Sequence, residues 1–367
     1  MTAASIPMVD PAGEYRSLKG EIDEAVGRVL ASGRFILGPE GEGLERELAA
    51  YVGAPHAVGV NSGTDALHLA LVAANIGPGD EVIVPAFTFF ATAEAVSYTG
   101  ATPVFADVDE RTFNLDPASL EKSLSKRTKA VIAVHLFGQC AALDQIQNLC
   151  EKNQVILVED CAQCLGADYA GRRAGSWGDF GCFSFYPTKN LGAAGDAGMV
   201  MTKDKKHEEA LRMLRHHGSR QTYRHERVGW NSRLDELQAA ILRVKFRHLA
   251  RFNDARRRAA ALYREKLAGC AVALPFEDGR GTHVYHQFTI RSPRRDAIRE
   301  ALAREGIASS IFYPLPLHRQ PAYGAANRGR ALPASEAAAQ AVLSLPIHPL
   351  LDEAAVARVA AAVRAAA

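Results

Sequence analysis

Short apolar runs alternate with helical patterns through the first part of the chain, and this alternation is the feature that most limits the possible folds. The apolar runs include residues 57–60, 81–85, 155–160 and 198–202. Between the runs, apolar residues recur at spacings of three and four, as they do over residues 66–74, which predicts helices. Strands that alternate with helices favour a mostly parallel α/β sheet whose two faces are covered by helices.

The pattern changes near residue 234, where a helical spacing begins that continues to about residue 267. This stretch predicts a single long helix of about 50 Å, at about 1.5 Å per residue. After it come predicted strands at 286–290 and 308–312, a helix at 296–305 and Ala-rich closing helices. A chain of 367 residues suits two domains. We therefore expect a large domain over residues 1–248 and a smaller α+β domain over residues 249–367.

Composition and charge exclude several classes of protein. The formal net charge is +2, which gives no electrostatic reason to expect nucleic acid or a membrane surface as a partner. No signal peptide is recognisable, and no run of about 18 apolar residues could span a membrane. Six scattered cysteines are too few for a disulfide framework, so we expect a cytoplasmic protein. Cys161 and Cys164 form a CxxC pair, but no histidine stands at ligand spacing, and we expect no metal site.

One lysine stands where a positive charge would be costly. Lys189 follows an apolar, aromatic run over residues 181–186 and precedes the small-residue segment 192–198. Burying an ammonium group among such residues is unfavourable, whereas a desolvated lysine with a lowered pKa can form a Schiff base with an aldehyde. A lysine on an exposed loop is the alternative explanation, and the choice depends on whether the rest of a cofactor site is present.

Four features that follow predicted strands can converge on Lys189, because ligands of parallel α/β sheets bind at the carboxyl ends of the strands. The turn at 61–65 can bind an anion through its backbone N–H groups, or it can simply cap a helix. Asp160 can pair with a buried cation or cap the next helix, and Gln163 can reach a phenolic oxygen or be ordinary helix-start polarity. The phenylalanines of residues 85–90 can stack on a ring or belong to the core.

Six segments together resemble one family over nearly the whole chain. They are NSGTDAL at 61–67, GPGDEVI at 77–83, EDCAQ at 159–163, FSFYPTKNLG at 183–192, NSRLDELQA at 231–239 and YPLPLH at 313–318. The family is the DegT/DnrJ/StrS group of sugar aminotransferases, which have fold type I and depend on pyridoxal 5′-phosphate (PLP). The resemblance implies a mostly parallel central sheet flanked by helices and a smaller α+β C-terminal domain.

The resemblance also implies roles for individual residues. Lys189 would hold PLP as a Schiff base and move a proton during the reaction, while Asp160 would keep the pyridine nitrogen protonated. Phe89, rather than Phe87, would stack on the ring, and Gln163 would lie beside its phenolic oxygen. Further residues are expected to bind the cofactor phosphate or the substrate: Gly63, Thr64 and Ser184 for the phosphate, Asn231 for the phosphate of the neighbouring subunit, and Tyr313 and His318 for the substrate.

The expected protein is a homodimer with shared active sites that moves an amino group from L-glutamate to a nucleotide-linked deoxysugar. The sugar would carry UDP or dTDP and a ketone at C3. A 4-keto sugar is one alternative, and a non-enzymatic PLP-binding regulatory protein of the same fold is another. Some family members have histidine at the lysine position and act as sugar dehydratases, but Lys189 argues against that activity.

Overall fold

The computed structural model describes residues 5–221 and 223–367. The helices are α1 Pro11–Ser32, α2 Pro39–Val52, α3 Gly63–Ala73, α4 Ala91–Tyr98, α5 Pro117–Ser123, α6 Leu143–Asn153, α7 Lys205–Leu214, α8 Glu236–Phe246, α9 Leu249–Lys266, α10 Arg295–Arg304, α11 Pro321–Gly324, α12 Pro333–Ala341 and α13 Glu353–Ala366. None of these helices is long and apolar enough to cross a membrane.

The strands fall into one large sheet and three small ones. They are β1 His56–Val60, β2 Glu81–Pro85, β3 Thr102–Ala106, β4 Thr128–Val134, β5 Ile156–Asp160, β6 Asp168–Tyr169, β7 Arg172–Arg173, β8 Phe180–Ser184, β9 Gly198–Thr202, β10 Ser219–Gln221, β11 Arg224–His225, β12 Gly281–Thr282, β13 Phe288–Arg291 and β14 Val342–Leu345. The large sheet has the order β1-β9-β8-β5-β4-β2-β3. Only β9 runs against its neighbours, so the predicted mostly parallel α/β fold is confirmed.

Successive residues of the central strands pack on opposite faces of the sheet, as the pleat requires. Val84 and Ile132 lie in an apolar cluster with α3, α4 and α7, whereas Ile83 and Val131 lie in another with α5 and α6. The near-continuous apolar runs of the sequence are thus explained by a sheet buried on both faces.

The C-terminal part of the chain has an apolar core of its own. β13 and β14 pair antiparallel, and side chains of α9, α10 and α13 pack around Phe288. The predicted strand at 308–312 is wrong, because only an isolated bridge joins Ser310 to Ser344. The edge position beside β13 is taken instead by β14, which the sequence did not predict because it follows directly on an Ala-rich helix.

The predicted single helix over 234–267 is also wrong, since it divides into α8 and α9 at Arg247 and His248. No glycine or proline marks the break. The two helices pack largely on different partners: α8 and the first turn of α9 contribute to clusters with α1 and α2, and the rest of α9 contributes to the C-terminal core. Tertiary packing has therefore overridden a continuous helical pattern. The break coincides with the predicted boundary between residues 248 and 249, and the two-domain division itself stays a prediction.

Candidate active site

A cavity of about 500 Å³ opens where the central strands end. Segments that follow β1, β2, β5 and β8 form much of its wall, as expected for a parallel sheet. The sequence-predicted residues that line it are Gly63, Thr64, Phe89, Asp160, Gln163, Ser184, Lys189 and Tyr313. The fold therefore brings together in one cavity residues that are up to 250 positions apart in the chain, from Gly63 to Tyr313.

Lys189 lies in a turn directly after β8, where its backbone N–H donates to the carbonyl of Tyr186 at 2.8 Å. Its side chain lines the cavity and is partly exposed, and desolvation lowers the pKa of the amine to about 8, although the Asp160 carboxylate acts in the opposite direction. A lysine of lowered pKa is neutral in a substantial fraction of molecules near pH 8. It can then act as a nucleophile or accept a proton.

Side chains of α8 hold the loop that carries Lys189 through hydrogen bonds to its backbone. The ammonium group of Lys245 donates to the carbonyl of Gly192 at 2.8 Å and forms an ion pair with Glu14 at 3.0 Å. The side-chain oxygen of Gln238 accepts from the N–H of Ala194 at 2.8 Å. Two side chains of α8 therefore hold the loop, and Glu14 of α1 holds one of those two side chains.

Asp160 is the last residue of β5 and is 6% exposed. Its two oxygens accept from neutral donors: Oδ1 from the N–H of Ala162 at 3.1 Å, and Oδ2 from the hydroxyl of Thr92 at 3.0 Å. Burial raises the pKa of this carboxyl, and those hydrogen bonds oppose the rise only in part. A carboxylate of this kind gains most from a cationic partner in the cavity.

The preceding residue, Glu159, has a full set of partners. Its oxygens accept from His135 Nε2 at 3.0 Å and from the backbone N–H groups of Gly175, Trp177 and Gly178 at 2.7–2.8 Å. Although burial alone would raise the pKa of Glu159, the bonds from His135 and the backbone hold it below its ordinary value. Glu159 is thus a buried anion that needs no ligand.

The turn between β1 and α3 is shaped to approach a ligand closely. Ser62 caps α3 by accepting from the N–H of Asp65 at 3.0 Å. A Cβ on Gly63 would lie 2.5 Å from the Cβ of Ser184, and one on Gly198 would lie 2.3 Å from the carbonyl oxygen of Ser62. Only glycine fits these two positions. The amino end of α3 and the Ser184 side chain therefore face the cavity together, in an arrangement that suits an anion.

The aromatic residues divide between cavity and core. Phe89 is 57% exposed and lines the cavity, whereas Phe87 is completely buried among core residues. Gln163 accepts from the N–H of Phe137 at 2.7 Å and donates from Nε2 to the hydroxyl of Tyr313 at 3.2 Å. The amide of Gln163 is therefore held at the wall of the cavity with its donor side toward Tyr313.

Two predicted site residues lie outside this cavity. Asn231 is exposed, on the strand-like segment that bridges to His216. His318 is completely buried, and its Nε2 is 2.9 Å from the carboxylate of Glu336. The predicted contact between His318 and substrate disagrees with this placement, because the side chain is completely buried and does not line the cavity.

The fold also brings a histidine to the CxxC pair, which the sequence spacing did not indicate. The potential ligand atoms of His135, Cys161 and Cys164 lie within 4.8 Å of one another, and all three residues are buried. Both ring nitrogens of His135 already have partners, Glu159 and the N–H of Ala141, and burial raises the pKa of both thiols. The cluster is best explained as packing of protonated thiols beneath the site.

The cavity fits PLP on three independent features. Lys189 is a partly exposed amine whose pKa is lowered by desolvation, Asp160 is a buried carboxylate without a cationic partner in its hydrogen bonds, and the close Gly63–Ser184 contact shapes a turn suited to an anion. These match an aldehyde, a pyridinium and a phosphate, the three groups that PLP presents. Sequence reasoning missed His286 and Gln287, which also line the cavity. Both stand just before the short strand β13, and a Tyr-His-Gln-Phe string carries no recognisable site signal.

Comparison with known proteins agrees with this geometry. The sequence profile of the DegT/DnrJ/EryC1/StrS aminotransferase family matches residues 16–364. A UDP-N-acetyl-3-dehydro-alpha-D-glucosamine 3-aminotransferase of Acidithiobacillus ferrooxidans is 52% identical over 98% of this chain and 97% of that protein. A Geobacillus stearothermophilus relative named pleiotropic regulatory protein is 48% identical over 95% of both chains.

Solved structures of aminotransferases of this family are also similar to this chain. The crystal structure of S. venezuelae DesV has a TM-score of 0.97 and 48% identity, over 99% of this chain and 98% of that one. NtdA of Bacillus subtilis, solved with bound cofactor PMP, has a TM-score of 0.88 and 30% identity, over 95% of this chain and 82% of that one. This chain therefore belongs to the DegT/DnrJ/EryC1/StrS aminotransferase family, and its cofactor is PLP.

Proposed function

We propose that this enzyme transfers an amino group from L-glutamate to the C3 ketone of a UDP- or dTDP-linked deoxysugar, in amino-sugar biosynthesis. The observation that carries the proposal is that Lys189, whose pKa is lowered by desolvation, and the buried Asp160 line the same cavity. The name of the Acidithiobacillus ferrooxidans relative, a 3-aminotransferase of a UDP-linked sugar, supports the choice of C3 and of a nucleotide sugar.

In the proposed mechanism, PLP when bound supplies an electron sink conjugated to the reacting carbon. Lys189 would hold the cofactor through Nζ, and the same amine would carry a proton to and from the substrate carbon. Asp160 keeps the proton on the pyridine nitrogen, because a buried carboxylate stabilises that cation. Phe89 would cover the cofactor ring, Gln163 would bind its phenolic oxygen, and Gly63, Thr64 and Ser184 would hold its phosphate.

The functional form in this proposal is a homodimer in which Asn231 reaches the cofactor phosphate of the partner subunit. Support comes from the exposure of Asn231 outside its own cavity and from the exposed apolar side chains nearby in the chain, Tyr223 at 95% and Val228 at 84%. The six free cysteines fit a reducing cytoplasm. Tyr313 is the side chain we propose to contact substrate, since it lines the cavity beside Gln163.

The shared site can be tested by complementation. Lys189→Ala and Asn231→Ala proteins should each be nearly inactive, whereas unfolding and refolding them together should restore activity. Hybrid dimers would contain one site with both residues intact. An active monomer, or an inactive Asn231→Ala protein whose mixture never exceeds the parents, would contradict the proposal.

The substrate is tested by the two half-reactions. L-glutamate should convert the PLP form to the pyridoxamine form, and a 3-keto UDP- or dTDP-sugar should convert it back. A 4-keto sugar that reacts faster would move the ketone to C4. Protein that binds PLP but reacts with neither glutamate nor any keto sugar nucleotide would favour a regulatory role, which the name of the Geobacillus stearothermophilus relative suggests for that protein.

A further inference from the structure

We infer that His286 determines substrate specificity by accepting, through Nε2, a hydrogen bond from a donor on a sugar carbon next to the reacting carbon. The inference rests on the proposed function, since it assumes that a sugar occupies the cavity. His286 lines the cavity wall and is 3% exposed. It stands just before β13, in the C-terminal part of the chain, whereas most of the predicted cofactor residues stand at or after strands of the large sheet.

The proton of His286 can be placed because a chain of hydrogen bonds begins at an unambiguous acceptor. The side-chain nitrogen of Asn253 donates to the carbonyl of Leu165 at 3.0 Å, so the Asn253 oxygen faces the opposite way. That oxygen accepts from Asn190 Nδ2 at 2.8 Å, and the same nitrogen donates to the carbonyl of Val284 at 3.0 Å. Both contacts orient the Asn190 amide with Oδ1 toward His286.

His286 Nδ1 lies 3.3 Å from Asn190 Oδ1. Because an amide oxygen can only accept, Nδ1 must carry the proton. The remaining nitrogen, Nε2, then carries a lone pair. Burial, with the nearby positive charges of Lys189 and Arg256, holds the pKa of this imidazole well below its ordinary value, so the ring stays neutral.

The only described partner of Nε2 is Gln287 Nε2, at 3.5 Å, which is at the limit of a hydrogen bond. A buried acceptor on a ligand cavity with so weak a partner favours a substrate that brings a donor. Hydroxyl and acetamido groups on a hexose are such donors, and a site built to bind one discriminates strongly against an analogue that lacks it.

A matched pair of variants separates two roles of His286: accepting a hydrogen bond from the substrate at Nε2, and holding the Lys189 loop through Asn190. His286→Asn places an amide nitrogen near Nδ1, so it can retain the bond to Asn190, but no atom of it reaches the position of Nε2. His286→Gln extends an amide oxygen toward the position of Nε2 and gives up the bond to Asn190. Holoenzyme is mixed with L-glutamate in one series and with nucleotide-linked 3-amino sugars in the other, and the conversion between PLP and pyridoxamine forms is followed by absorbance.

We expect His286→Asn to slow the reaction of the amino sugar about 10- to 100-fold, as for an unpaired buried donor, while the glutamate reaction changes little. His286→Gln should recover part of the loss. Analogues deoxygenated at C2 or at C4 supply the decisive comparison. In the native enzyme, removing one of these two donors should slow the reaction by a similar factor, and His286→Asn should be insensitive to that same removal.

Three results would overturn the inference. Equal slowing of the glutamate and sugar reactions in His286→Asn would mean that His286 only positions the Lys189 loop. The inference would also fail if His286→Asn still distinguished the amino sugar from its C2 and C4 deoxygenated analogues as strongly as native enzyme does. If the native enzyme reacts with glutamate but with no nucleotide amino sugar, the proposed function fails and the inference fails with it. Thermal unfolding of each variant, compared with native protein, identifies a loss due to misfolding.

Discussion

Glu159 and Asp160 are neighbours on one strand, both nearly or completely buried, yet they lie on opposite faces of the sheet. Glu159 accepts four hydrogen bonds and has a lowered pKa, whereas Asp160 accepts two from neutral donors and has a raised pKa. The comparison teaches that burial of a charged group does not identify a functional site by itself. A site is indicated when the buried charge lacks compensation and faces a cavity.

The same contrast extends to the groups around each carboxylate. On the Asp160 face, Lys189 lines a cavity with a lowered pKa, so in native protein without cofactor the charges of Lys189 and Asp160 compensate each other only in part. On the Glu159 face, His135 and three backbone N–H groups enclose the anion completely. Substitutions of these two groups on the cavity face should therefore lower activity without lowering stability, and substitution of Glu159 on the other face should lower stability.

The largest effect is expected for Lys189→Met, which should reduce turnover by about 10⁴-fold, because a positioned proton carrier and the covalent attachment are both lost. Steady-state amino transfer to a keto sugar nucleotide measures it. Lys203→Met, which removes a lysine outside the cavity, is the control. Borohydride reduction followed by mass spectrometry should place the cofactor on Lys189 in native protein, and an adduct on any other lysine would contradict the assignment.

Asp160→Asn should slow turnover by about 10²- to 10³-fold, the effect of leaving a buried cation without its partner, at about 3–4 kcal/mol. Its unfolding free energy without cofactor should be unchanged or higher, because an uncompensated charge has been removed. Turnover rates and urea unfolding curves, measured on the same preparation, test the predicted loss of activity and the predicted unfolding free energy. Normal turnover in this variant would mean that Asp160 only fixes Ala162 and Thr92.

In protein without cofactor, the lowered pKa of Lys189 should make the free energy of unfolding depend on pH. With its pKa lowered from 10.5 to about 8, the folded state binds fewer protons than the unfolded state between these values, so stability rises with pH there. The unfolding free energy of Lys189→Met should therefore be about 3 kcal/mol higher than that of native protein below pH 8. This difference should vanish above about pH 10.5. Urea unfolding at several pH values measures this difference. A difference that does not change with pH would contradict the lowered pKa of Lys189 in the folded protein.

Glu159→Gln should lower the unfolding free energy by about 2–3 kcal/mol, because a carboxylate that accepts four bonds becomes an amide with one accepting oxygen. Turnover per folded molecule should change less than in Asp160→Asn. Urea unfolding and rates at a temperature where both variants are folded test the contrast. If Glu159→Gln loses activity as severely as Asp160→Asn without losing stability, the division between the two faces is mistaken.

Much of the fold and of the cofactor site could be predicted from local signals. Asp160, Lys189 and the Gly63 turn each follow a strand of recognisable apolar pattern, and the parallel sheet then requires their convergence. The break between α8 and α9 could not be predicted, because it depends on which partners the two halves pack against. His286, its tautomer and the contact of Gln163 with Tyr313 depend on distant parts of the chain, and no local pattern contains them.

The break at Arg247 and His248 has a consequence for how such enzymes diversify. A genetic crossover there would exchange His286, Gln287 and Tyr313 as one block and leave Lys189 and Asp160 with the parent. Among the hydrogen bonds that join the two parts across this break, the one from Asn190 to Asn253 helps to orient His286. Chimeras between relatives should therefore inherit substrate preference from the C-terminal donor, provided that this asparagine pair is preserved.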